Sequence, residues 1–394
     1  MMDYKALFDR GVDRAKGDSY KWDASMPDNV LPLWVADMDF ATAPPVIDAL
    51  QKRVANGAFG YVRVPDAYYD AVTSWFHGRH GWDIAPNHII YTSGVVPALS
   101  AVIKALTKPG DKVIVQMPVY NCFFSSIRNN GCEALENRLI FTGDSYRMDF
   151  DGLRECCADP RAKLLLLCNP ANPAGRVWTR EELMTLAEIC HGSGVTVVSD
   201  EIHCELVYDR PYTPFATLPE ELTARSVSCV SPSKAFNTAG LQIANIVVPD
   251  AEMRRRIDKA ININEVCDVN PFGVAATIAA YKEGGEWLNA LVAYLYGNYK
   301  MMSDFCAQRF PELPICRLEG TYLVWMDCRA LGMDSVALEE KLLSDTGLWL
   351  NAGSMYGEAG EGFMRWNIAC PRARLAEALE RFSGFVSRYR QNPR

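Results

Sequence analysis

Long hydrophobic runs are missing from this 394-residue chain. Its leucine stretch Leu164-Leu165-Leu166-Leu167 falls far short of the roughly 20 apolar residues that a membrane helix needs. The opening residues Met1-Met2-Asp3-Tyr4-Lys5-Ala6 carry charges where a signal peptide requires an apolar stretch. Cys-x-x-Cys spacing is missing too: the thirteen cysteines are odd in number and scattered, and no His/Cys cluster has zinc spacing. The thiols therefore read as reduced, in a cytoplasmic protein, and no metal is expected. There is no long basic run, and 40 basic against 48 acidic residues leave a net charge of −8. That speaks against nucleic acid or an anionic membrane as partner, while leaving an anionic small ligand open. Repeats and low-complexity segments are also absent. At 49% hydrophobic and 22% charged, the composition is that of a globular chain, long enough for two substantial cores.

What is present is a rhythm. Short apolar runs at 88–92, 112–116, 163–168, 195–199, 225–230 and 243–248 alternate with longer helix-like stretches. One such stretch, 179–192, opens on Thr179 as N-cap, with Glu181 and Glu182 in its first turn. Continuous apolar strands alternating with helices predict an α/β fold with a mainly parallel sheet covered on both faces. Residues 1–50 are irregular around Trp34-Val35-Ala36-Asp37-Met38-Asp39-Phe40. After about residue 285, helical stretches alternate with strands at 321–327 and 362–367. The expected division is a large domain over 51–285 and a smaller α+β domain over 286–394, which the 1–50 segment joins.

In a parallel α/β sheet, ligands bind beyond the carboxyl ends of the strands. Five predicted strand ends carry chemistry there. The first is followed by Ser93-Gly94-Val95, the second by Tyr120, the third by Asn169-Pro170-Ala171-Asn172-Pro173-Ala174-Gly175. The fourth leads into Asp200-Glu201-Ile202-His203 and the fifth into Ser231-Pro232-Ser233-Lys234. Each group has a use if the ligand is pyridoxal 5'-phosphate. The Lys234 amine can form a Schiff base with the aldehyde and, with its pKa lowered by burial, act later as a base. Asp200 can pair with the protonated ring nitrogen. Asn172 can donate to the phenolic oxygen and Tyr120 can stack on the ring. The helix opening at Gly94 and Val95 can hold the phosphate, helped by Ser231 and Ser233. Taken singly, Lys234 could be a solvated loop lysine, Asp200 a helix cap and Tyr120 a core residue. The joint order is much harder to explain that way.

Those strings, with Ser231-Pro232-Ser233-Lys234-Ala235-Phe236-Asn237-Thr238-Ala239-Gly240-Leu241, resemble the fold-type I pyridoxal-phosphate enzymes of aminotransferase class I/II. The segment Trp34 to Phe40 and the Asp-Glu-Ile-His string resemble a narrower branch, the cystathionine β-lyase-like C–S lyases. The resemblance runs from about residue 30 to the C-terminus. It implies Lys234, Asp200 and Tyr120 as the catalytic set, and Gly94, Val95 and Asn172 around the cofactor. It also implies that Tyr61 reaches the phosphate of a neighbouring subunit in a homodimer, and that Arg365 grips the substrate α-carboxylate, with Arg372 as the nearest competitor. Two positions depart from the wider aminotransferase pattern: Gln242 stands where many members have a phosphate-binding arginine, and His203 where many have a tyrosine. The histidine fits the lyase branch, although it could equally be a hydrogen-bonded core residue. The function expected is β-cleavage of cystathionine, cysteine or an S-substituted cysteine, a small amino-acid substrate, to pyruvate, ammonia and a thiol. The alternatives are an aminotransferase using a 2-oxo acid and, less compatible with the intact residue set, a non-catalytic regulator.

Overall fold

The computed structural model describes residues 2–14, 18–23, 26–266 and 268–391. A seven-stranded sheet organises the larger part. Its strands are β1 (Ile89–Thr92), β2 (Lys112–Met117), β3 (Glu133–Arg138), β4 (Ala162–Cys168), β5 (Thr196–Asp200), β6 (Val227–Val230) and β7 (Ala244–Val247). They lie in the order β1-β7-β6-β5-β4-β2-β3. All neighbours are parallel except β7, which runs antiparallel to β1 and β6. The central strands are buried on both faces: in β4 every residue but Lys163 is buried, as parallel strands under two helical layers require.

The helix Arg180–Gly192 shows how the covering layer is specified. Thr179 Oγ1 accepts the N–H of Glu182 at 3.2 Å, and a Glu182 carboxylate oxygen accepts the N–H of Thr179 at 2.9 Å, a capping box that satisfies two otherwise unpaired donors. Leu183, Leu186, Ala187 and Cys190 then fall on one buried stripe. Each fully buried leucine there contributes roughly 1.5–3 kcal/mol.

Six of the seven strands coincide with the apolar runs. The exception is β3, which reads Glu-Ala-Leu-Glu-Asn-Arg and has only Asn137 buried. It is an edge strand paired on one side alone, so it needs no apolar pattern and gives no hydrophobic signal.

In the C-terminal part, β8 (Leu323–Asp327), β9 (Asn351–Ala352) and β10 (Phe363–Asn367) form a second, antiparallel sheet in the order β8-β10-β9. The helices Gly285–Arg309 and Arg372–Gln391 accompany it. The N-terminal segment reaches this part through Leu31–Pro32, which pairs in parallel with Leu348–Trp349. Residues 34–40 form no regular strand, so their backbone groups must find partners elsewhere. Side chains supply them. Trp34 O accepts from Asn351 and Arg365, Val35 O and Asp37 O from Asn367, and Met38 O and Phe40 O from Asn237. Among the described residues, no helix is long and apolar enough to cross a membrane.

Candidate active site

Strands β1, β2, β4, β5 and β6 present their carboxyl ends at one edge of the sheet, and a cavity of about 180 Å³ opens there. Each strand end delivers its neighbouring residues to the wall: Ser93, Gly94 and Val95 after β1, Tyr120 after β2, Asn172 after β4, Asp200 and His203 at the end of β5, Ser233 and Lys234 after β6. Gly94 caps the helix Val95–Leu106, whose first N–H groups are the ones a helix leaves unpaired.

Among the described residues, Lys234 is the only lysine in the cavity wall. Its Nζ donates to Ala36 O at 2.6 Å. Removal of the amine from water lowers its pKa to about 8, opposed by the nearby Asp37 carboxylate. Asp200 is the complementary case. Burial pushes its carboxyl up to about 7, and among the described residues the one hydrogen bond it accepts comes from the Ile202 N–H at 3.2 Å. No helix follows β5: the chain turns through Glu201 to Glu205, so Asp200 caps nothing. The adjacent Glu201 is fully engaged away from the cavity by Ser199 Oγ, Tyr212 OH and the Phe215 N–H.

Arg365 of β10 lies behind Asn172. One terminal nitrogen donates to Asn172 Oδ1 at 3.1 Å and the other to Trp34 O at 2.7 Å. The guanidinium sits 4.8 Å from the centre of the Tyr356 ring. It is buried, it has no carboxylate partner among the described residues, and its Nε has no acceptor. A buried cation in that condition is a site for an incoming anion. Arg372 is occupied elsewhere, with Asn298 and against the Tyr294 ring.

His203 is buried in the cavity wall, its ring edge-on to Tyr322 at 5.8 Å. Its Nδ1 has no hydrogen-bond partner among the described residues. Burial, together with Lys234 and Arg365, holds the imidazole neutral. Burial likewise keeps the Tyr120 phenol protonated. Besides Arg365, which lies behind Asn172, two expected residues stand apart from the cavity wall. Ser231 spends its hydroxyl on Ile243 O at 2.7 Å and on the Ser233 N–H at 3.1 Å, so it positions Ser233. Tyr61 is 99% exposed and lies outside the cavity wall of its own chain.

Several wall residues have no role in the sequence reading: Ala36, Ile202 and Ala239, which lie inside its motifs, and Cys168 and Ile243, which lie in its strands. Ala36 contributes a carbonyl, which any residue type could supply, so its side chain carries no signal. Gln242 is in the wall as well, with a left-handed backbone (φ 50°) unusual for a residue with a side chain. Outside the cavity, His80, Cys204 and Glu205 approach one another within 4.8 Å. The Glu205 carboxylate there already accepts from Trp75, Arg79 and His80, an ion-pair cluster.

The family model for aminotransferase class I and II matches residues 28–382. Cystathionine beta-lyase PatB of Bacillus subtilis is 40% identical over 96% of this chain and 100% of its own length. Protein MalY of Escherichia coli is 33% identical over 96% of this chain and 97% of its own. Among solved structures, cystalysin from Treponema denticola, which contains a pyridoxal 5'-phosphate cofactor, superposes with a TM-score of 0.94 at 35% identity. That match covers 96% of this chain and 98% of the other.

Proposed function

The chain belongs to the aminotransferase class I and II family, and from that premise we propose a pyridoxal-phosphate-dependent C–S β-lyase. It takes cystathionine, cysteine or an S-substituted cysteine to pyruvate, ammonia and a thiol. The observation that carries the amino-acid part is Arg365, a buried guanidinium without a carboxylate partner among the described residues, linked by Asn172 to the cavity that holds Lys234. The lyase part rests on full-length similarity to PatB, a cystathionine beta-lyase.

The cavity suits the cofactor. Asp200 is a buried carboxylate short of hydrogen-bond donors, Lys234 is an amine whose lowered pKa of about 8 eases its deprotonation, and the helix N-terminus at Val95 offers N–H groups. Bound there, pyridoxal phosphate supplies an aldehyde for the Lys234 amine and a ring that draws charge from the substrate α-carbon. The chain's own groups do the rest. Arg365 holds the α-carboxylate; a guanidinium has five N–H donors, and the unpaired Nε is among those still available. Because Arg365 occupies Asn172 Oδ1, the amide nitrogen is left as the donor toward the cofactor's phenolic oxygen. Lys234 Nζ takes the α-proton, Asp200 keeps the ring nitrogen protonated, and Tyr120 stacks on the ring. Gly94, Val95 and Ser233, the last oriented by Ser231, hold the phosphate. His203 stays an uncharged neighbour, and Gln242 leaves the phosphate without the arginine of the wider pattern.

Purified protein given L-cystathionine should release pyruvate, ammonia and a thiol with no added oxo acid, as monitored by coupled reduction of pyruvate. Fast amino transfer to 2-oxoglutarate with no pyruvate from any β-thio substrate would replace the lyase by an aminotransferase. Arg365→Ala should lower kcat/KM for all such substrates by about 2–3 kcal/mol, the scale of a charge-assisted contact, with cofactor absorbance intact. An unchanged kcat/KM would remove Arg365 from the carboxylate site.

The same reading makes the protein a cytoplasmic homodimer. All twelve described cysteines are free, which suits a reducing compartment. Exposed Tyr61 and Phe59 suit a surface that a second copy covers, with Tyr61 serving the partner's phosphate. Inactive Lys234→Ala and Tyr61→Ala protomers, mixed, should regain activity as heterodimers with one intact site; a fully active monomer would end this reading. Pairing of Leu31–Pro32 with Leu348–Trp349 supports grouping residues 1–50 with 286–394 as the small domain against 51–285.

A further inference from the structure

Two donors converge on one backbone carbonyl in the cavity wall. Lys234 Nζ reaches Ala36 O at 2.6 Å, and Tyr322 OH reaches the same oxygen at 2.9 Å. From this shared acceptor we infer that Tyr322 is a positioning residue for the Lys234 amine, acting through the Ala36 carbonyl without touching substrate. The inference rests on the reading of Lys234 as the cofactor-bearing amine and base.

The Tyr322 hydroxyl is built into place. Its ring is fully buried against His203, and burial keeps the phenol protonated, hence a permanent donor. The preceding Thr321 adopts a left-handed backbone (φ 69°), strained for a β-branched residue and sustained only where surroundings enforce it. They do so here: the Thr321 N–H donates to Leu206 O at 2.7 Å and Thr321 O accepts Tyr208 OH at 2.6 Å. This strained turn sets Tyr322 at the start of β8. Ala36 is equally fixed, since the carbonyls on either side of it, Val35 O and Asp37 O, are both held by Asn367 Nδ2. The carbonyl has two lone pairs, and both are taken. Both donors draw on the density of one oxygen, so each weakens the other's bond. Tyr322 therefore tempers the hold of Ala36 O on the charged ammonium and favours the neutral amine that can act as a base.

Other titratable groups face the amine: Asp37 from the 34–40 segment, Asp200 from β5, Arg365 from β10 and Cys122 beside Tyr120, with neutral His203 in the wall. A change confined to the Tyr322 hydroxyl leaves all of them in place.

The test measures the Lys234 amine directly. Cofactor-free full-length protein is mixed with pyridoxal 5'-phosphate across a pH series, and the rate of capture is read from the rise in visible absorbance. In the wild type the rate should climb with a midpoint near the amine's pKa of about 8. Tyr322→Phe frees a lone pair for the ammonium, so the midpoint should rise by about half a pH unit or more. Replacement of Tyr322 by a trifluorinated tyrosine, a stronger donor of the same shape, should move the midpoint down. In the loaded enzyme, Tyr322→Phe should lower kcat about tenfold with KM for L-cystathionine within about twofold, the loss of one hydrogen bond at the base. Opposite shifts in the two variants support the inference; a wild-type midpoint in either overturns it. Should Tyr322→Phe fail to fold, the fluorinated protein alone decides by the same midpoint. Absence of capture by the wild type, by contrast, would overturn the reading of Lys234 itself.

Discussion

Lys234→Ala is expected to abolish turnover, by about four orders of magnitude or more, the upper range for losing a placed general base, while the protein stays folded. Among the described residues no second lysine lines the cavity, so none of them offers a substitute amine in that wall. The amine's other protein contact is one hydrogen bond to Ala36 O, which Tyr322 continues to satisfy, and truncation therefore leaves no unpaired acceptor behind. Cofactor should still associate through the helix N-terminus at Val95 and the Asp200 carboxylate, but without the visible absorbance of its bond to lysine. Borohydride reduction of the wild type and subsequent peptide mapping should place the pyridoxyl group on the peptide containing Lys234. A label on another lysine, or turnover within tenfold of wild type in the alanine variant, would sink the assignment.

The sheet and most of its site were legible because their signals are local. Buried parallel strands demand unbroken apolar runs, and β4, with Leu164 to Leu167 buried, is the plainest. The topology of such a sheet then dictates that Tyr120, Asn172, Asp200 and Lys234, each just past a strand end, meet at one edge. What the sequence hides has physical causes. Edge strand β3 is solvated and carries charge where a central strand carries valine or leucine. The 34–40 segment offers carbonyl oxygens, and a carbonyl is the same whatever side chain it accompanies. Its role is visible only through the donors that reach it: Arg365, Asn367, Lys234, Tyr322 and Asn237. Tyr322 is hidden for a related reason. It precedes an ordinary apolar strand, and its hydroxyl meets Ala36 O just after the left-handed Thr321. Ser231 shows the opposite difficulty: a hydroxyl one turn from the lysine looks like a phosphate ligand, yet it is consumed by Ile243 O and the Ser233 N–H.

Asp200→Ala should cost at least about two orders of magnitude in kcat, the scale found when one preorganised polar partner is removed from a reacting centre. The charge state of the carboxyl sets the size of that loss. Burial, helped by the neighbouring Glu201, holds its pKa up at about 7, against the Ile202 N–H and the Lys234 charge, which favour ionisation. A buried carboxylate so poorly paired is costly by itself and becomes favourable when a cation is set beside it, which the protonated ring nitrogen provides. With the cofactor bound, such pairing would draw the Asp200 pKa down and raise that of the ring nitrogen, so the ring would keep its proton at neutral pH and its capacity to accept charge. Asp200→Asn separates charge from shape: it fills the same volume and can still hydrogen-bond, yet offers no negative charge, so it should behave as the alanine variant in kcat. Both variants should keep bound cofactor through the Lys234 bond, seen as visible absorbance, and KM for L-cystathionine should change far less than kcat, because the proposed carboxylate grip of Arg365 is left in place. Near-normal kcat in Asp200→Asn with cofactor bound would show that charge at this position is not used, and Asp200 would then be a structural residue at the end of β5.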